Sequence, residues 1–141
     1  MNYTSQQIAT LRQKVKDYGL NGQDIIADYN DEELCNMVNG IGAEWMPDWC
    51  VALTNGLHPS LEAAAMIHDI EYSHGGDDKR RAEADRRFLE NCRLCAKKEY
   101  AWWDIRRYLA QHSGNKFYKL LRCFGSWAWN SGEPLAEGID D

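Results

Sequence analysis

His68 and Asp69 stand side by side in the stretch MIHDIEYSHGG, residues 66–76, and Tyr72 follows one helical turn later. An imidazole beside a carboxylate is the starting material for general-base catalysis and for cation binding. On a helix, Ala65, His68, Asp69 and Tyr72 would share one face, because they recur at three- and four-residue steps. Ala63, Met66, Ile67 and Ile70 would occupy the opposite side. Both sides therefore suit burial, and a buried polar face needs partners, since an unpaired charge in a core is costly.

Asp85 is the candidate partner. It lies at the i−3, i−4 and i−7 positions of the apolar stripe begun by Phe88, Leu89 and Cys92, on the core side of a second helix. Gly75-Gly76 makes a short connection, which predicts an antiparallel helix pair. Across such a hairpin, Asp85 can meet His68, with His68 Nδ1 the expected point of contact, and Tyr72 can bond the same carboxylate. A carboxylate that orients an imidazole is a general-base arrangement. Asp69 is left over on the same face. With the backbone carbonyls of a glycine loop at Val38-Asn39-Gly40-Ile41-Gly42 it would form a weak hard-cation site, most naturally for Ca2+. Taken singly, each feature has a plainer explanation: a satisfied helix histidine, an acid in a helix's first turn, a tight turn at Gly40 and Gly42. Their joint facing and spacing favour the functional reading.

The elements that must position these groups are helical. Residues 4–18 read as an amphipathic helix, with capping-box spacing at Thr4 and Gln7, an apolar side of Ile8, Leu11 and Val15, and a stop at Gly19. A short helix over 31–38, capped by Asn30 or Asp31, precedes the glycine loop. Ser60 is placed to cap a helix over about 60–74. A long helix over about 78–111 follows, with Trp102 and Trp103 extending its apolar stripe into the core. A last helix is expected over 115–124. No strand alternates convincingly. The expected fold is all-α, a single domain over residues 1–130 with a disordered tail at 131–141.

Bulk composition narrows the classes. The 141 residues carry a net charge of −6, which argues against nucleic-acid binding, where a basic footprint is the rule. No run approaches the length of a membrane span, and the N-terminus lacks the apolar core of a signal peptide. A cytoplasmic product is the expectation, exported by another route or carried in a virus particle. Five cysteines without a framework read as reduced thiols. Cys92 and Cys95 form a C-x-x-C inside a helical pattern, with no second pair to complete a zinc site.

The motifs HPSLEAAAMIHDIEY and AEADRRFLENC, in that order after Gly40-Ile41-Gly42, resemble a phospholipase A2 core. The resemblance is closest to the compact type carried in parvovirus capsid proteins. It spans residues 38–92. It implies that His68 deprotonates a water that attacks the sn-2 ester of a glycerophospholipid, and that Asp85 orients His68 with support from Tyr72. It further implies that Asp69 with the carbonyls of Gly40 and Gly42 holds Ca2+, the cofactor, and that the partner is a phospholipid surface. Ile67 and Ile70 stand where secreted members carry disulfide cysteines, and the interval from Gly42 to His68 is long. The C-terminal half has no counterpart in that pattern, although Trp127 and Trp129 would suit a membrane interface. Two alternatives stand beside this reading. One is an inactive phospholipase-like binding or structural domain. The other is an HD-type metal-dependent phosphohydrolase with His58 and Asp85 as nominal ligands.

Overall fold

The computed structural model describes residues 3–40, 56–127 and 129, and all regular structure among them is helical. Six α-helices follow in order: α1 (Ser5–Asp17), α2 (Gln23–Ala27), α3 (Asp31–Gly40), α4 (Glu62–His74), α5 (Asp78–Glu99) and α6 (Ile105–Phe124). Single 3-10 turns at Pro59–Leu61 and Gly125–Trp127 flank the last three. Among the described residues no helix is long and apolar enough to cross a membrane.

Local chemistry explains most boundaries. Thr4 caps α1 through a reciprocal box: its hydroxyl accepts from the Gln7 N–H at 3.1 Å, and its own N–H donates to the Gln7 side chain at 2.8 Å. Asn30 and Glu33 repeat the device on α3 at 2.8 and 3.1 Å. Asp77 caps α5 by accepting from the Arg80 N–H at 2.9 Å. Gly75 and Gly76 take φ of 70° and 131°, a reversal that residues with a Cβ resist.

Several expectations need correction. The α4 helix starts at Glu62, because Pro59–Leu61 forms a 3-10 turn whose cap is His58. Ser60 is instead bonded to the His58 ring at 2.8 Å. Helix α3 continues through Gly40, so Val38 and Gly40 belong to a helix and its end; Ile41 and Gly42 lie outside the described residues, as does the 131–141 tail. The short helix α2 was not anticipated. The largest correction concerns the expected 78–111 helix. It ends at Glu99, where Tyr100 turns extended (φ −128°, ψ 139°), and Asp104 then caps a separate helix by accepting from the Arg106 N–H. That break takes Trp102 and Trp103 off the apolar stripe and leaves them 73% and 71% exposed, not in the core.

The core lies between α4 and α5. Ile8, Leu11 and Val15 of α1 close it on one side with Leu34 of α3, against Ala63, Ala64, Ile67 and Ile70. Antiparallel packing follows from the pairs that meet: Cys95 near the Ala64 backbone, His68 on Asp85, Tyr72 on Asp85. Buried Asn91 of α5 ties down the α1–α2 connection, accepting from the Asn21 N–H at 2.8 Å and donating to the Asn21 carbonyl at 2.9 Å. Helix α6 lies against α5 through small residues. Ala110 is buried, and a Cβ on Gly114 would stand 2.8 Å from Cys92 Cβ.

Candidate functional site

Asp85 is the centre of the polar cluster. It is fully buried, and both of its carboxylate oxygens are engaged. Oδ1 meets His68 Nε2 at 2.9 Å and accepts the Tyr72 hydroxyl at 2.5 Å. Oδ2 accepts from Arg122 Nη1 at 2.7 Å, and Arg81 Nη1 stands 3.8 Å away. The predicted trio of His68, Tyr72 and Asp85 is thus brought together. The contacting nitrogen is Nε2, where Nδ1 had been expected, because His68 reaches α5 with the far side of its ring.

Packing holds the imidazole. Its ring lies 4.2 Å from the Tyr72 ring and 5.0 Å from that of Phe88, centroid to centroid. His68 is buried, and its Nε2 is engaged by Asp85. With the tautomer that places the proton on Nε2, the lone pair is on Nδ1. Burial alone would raise the Asp85 pKa. The hydrogen bonds from His68, Tyr72 and Arg122 outweigh that and hold its carboxyl below the usual range. Tyr72 is pushed well above an ordinary phenol by burial and by the Asp85 charge.

Arg81 and Arg122 are the groups that sequence reasoning missed. Arg81 lies one helical turn before Asp85, an i,i+4 pair that spacing could have revealed. Arg122 comes from α6, 37 residues on, and only tertiary packing identifies it. The Arg81 guanidinium also donates to the Leu121 carbonyl at 3.2 Å, which locks the end of α6 against the cluster. Trp129 closes the same side. Its ring stands edge-on to Tyr72 at 4.9 Å, and its indole N–H donates to the Gly76 carbonyl at 2.9 Å. It is buried, in contrast to the interfacial position expected for it. A Cβ on Gly125 would come within 2.6 Å of the Tyr72 hydroxyl, so only glycine lets the chain pass this close.

Asp69 faces a different environment. It is half-buried, and among the described residues no hydrogen bond reaches its carboxylate. Loss of water raises its pKa to about 6, against the opposing pull of His68. Tyr3 stands near it and is pushed up to about 12 by burial and by the Glu62 and Asp69 charges. A carboxylate in this condition suits a hard cation, with backbone carbonyls completing the shell. Gly40 ends α3, where helix carbonyls lack intrahelical partners, and Gly42 lies outside the described residues. Among the described residues no three His, Cys, Asp or Glu side chains converge as a metal cage. His58 is engaged with Ser60 and with the Tyr100 ring. Cys92 and Cys95 are buried free thiols, both raised by desolvation, Cys95 to about 12, and they serve the core. No family model matches this chain, and neither a curated protein nor a solved structure is significantly similar to it, so the resemblance to phospholipases A2 rests on the residues quoted above.

Proposed function

We propose that this chain is a Ca2+-dependent, phospholipase A2-like hydrolase acting on the sn-2 ester of glycerophospholipids. One observation carries the reading: His68 Nε2 shares Asp85 Oδ1 with the Tyr72 hydroxyl in a buried cluster. Nδ1 of His68 takes the proton from a water as its oxygen attacks the ester carbonyl. The acyl C–O bond then breaks, and the imidazolium returns the proton to the departing glycerol oxygen. Asp85 keeps the ring oriented and stabilises its charged form, with Tyr72 bracing Asp85. Ca2+, when bound by Asp69 and the Gly40 and Gly42 carbonyls, supplies a Lewis acid for the lipid phosphate and the developing oxyanion. The desolvation of Asp69, whose carboxylate accepts no hydrogen bond from the described residues, supports that assignment.

The test is fatty-acid release from phospholipid vesicles. Release with Ca2+, lost on adding chelator and lost in His68→Ala, supports the mechanism. Hydrolysis that persists in either sample would sink it. The two guanidiniums at Asp85 favour a second reading, a phospholipase-like domain without activity. They draw on the negative charge that would otherwise stabilise the imidazolium, and they also make Asp85 a poor metal ligand, which counts against a phosphohydrolase. An intact, Ca2+-binding protein that releases no fatty acid under any of these conditions supports the second reading.

A further inference from the structure

Five large apolar side chains stand exposed together where α5 ends and α6 begins: Trp102, Trp103, Ile105, Tyr108 and Leu109. Soluble domains rarely display so contiguous an apolar patch without a use for it. The display is built into the backbone. The Asp104 N–H donates to the Ala101 carbonyl at 3.0 Å, and the Tyr108 hydroxyl donates to the Trp102 carbonyl at 2.8 Å. Asp104 caps α6 and pairs with Arg106 at 2.7 Å, and the Arg106 guanidinium lies over the Tyr100 ring at 4.9 Å. Further along, Ser113 of α6 accepts from the His58 N–H at 3.0 Å, which ties that helix to the entry of α4. Ile105, Tyr108 and Leu109 share one face of α6, while Ala110 and Gly114 face α5. The tryptophans therefore project from a braced turn.

Charge says what covers them. Residues 93–122 hold eight Lys or Arg and only two acids, Glu99 and Asp104, in a chain whose net charge is −6. Arg93, Lys97, Lys98 and Arg106 are exposed around the turn. Tryptophan and tyrosine with flanking lysine and arginine suit the headgroup region of an anionic bilayer, where rings sit at the boundary and cations reach the phosphates. We propose that the Trp102–Leu109 turn docks this protein on anionic phospholipid surfaces. The inference deepens the hydrolase reading by giving the enzyme its surface, but it does not need hydrolysis to be tested.

The experiment is co-sedimentation of the full chain with vesicles of phosphatidylcholine alone, or mixed with an equal part of phosphatidylglycerol. All arms contain chelator and are repeated in His68→Ala. The expected result is binding to the anionic vesicles, weakened at least tenfold by Trp102→Ala/Trp103→Ala with no change in thermal stability. Lys97→Glu/Lys98→Glu should also weaken it, since each cation near such a surface strengthens binding about fivefold. Equal binding by wild type and the Trp pair variant overturns the proposal, as does equal binding to both vesicle types. A dimer in solution that the Trp pair variant dissolves, with no vesicle binding, overturns it in favour of a second copy as the occupant. Fatty-acid release is read separately with Ca2+ and no chelator: wild type that binds the anionic vesicles yet releases no fatty acid with Ca2+ leaves the surface standing and removes the hydrolase reading.

Discussion

Asp85 and Asp69 are buried to different degrees and respond to pH in opposite ways. The folded state holds the Asp85 carboxyl below its usual range, so its ionised form adds stability above the unfolded carboxylate pKa, and that stability fades as pH falls through the depressed value. Truncation by Asp85→Ala strands Arg81 and Arg122 and should lower unfolding stability by about 3–5 kcal/mol in urea titrations at neutral pH. Asp69 is raised to about 6 in the folded state, so there the fold retains a proton that the unfolded chain releases earlier. Stability should therefore drop by roughly 3 kcal/mol as pH rises from about 4 to above 6. Asp69→Asn should raise the Tm at pH 7 and flatten that limb, as followed by circular dichroism in the presence of chelator. A Tm that falls instead would show that the carboxylate is already satisfied.

At the level of elements, α5 and α6 approach closely. Cys92 leaves no room for a side chain on Gly114. Gly114→Ala should cost about 1–3 kcal/mol through overpacking, despite alanine's better helix propensity, and a thermal melt measures it. The α1 cap offers a smaller, independent perturbation. Thr4→Ala removes a reciprocal box and should cost about 1 kcal/mol. The box was legible because it depends on residues three apart. The α5–α6 break was less so, since Phe88, Cys92 and Cys95 set a period that Trp102 and Trp103 continue by coincidence. The Asp104 cap was the local signal against it.

For the whole molecule, the cation proposed at Asp69 would couple binding to folding. Ca2+ at about a hundred times its Kd should stabilise the fold by about 2.7 kcal/mol, and the gain should vanish in Asp69→Asn. A thermal shift with Ca2+ that survives this substitution would place the ion elsewhere. Charge is also distributed unevenly at this scale: the cationic 93–122 segment belongs to an acidic chain. The net charge of −6 argues only about the average surface, and a local cluster of cations with exposed rings escapes it.

The all-helical class, the α4–α5 hairpin and the meeting of His68, Tyr72 and Asp85 are legible in the order of residues alone. Each of these follows from helical periodicity or from a short glycine turn, which act over a few residues. Long-range packing is what brings Arg122 to Asp85, sets Trp129 on Tyr72, and turns Trp102 and Trp103 to solvent. Those outcomes depend on where α6 lies against α5, and that placement is set by the Gly114–Cys92 approach and the Arg81 tether to Leu121. Periodicity says which face of a helix is apolar, but the choice of neighbour that covers it is made by packing between segments distant in the chain.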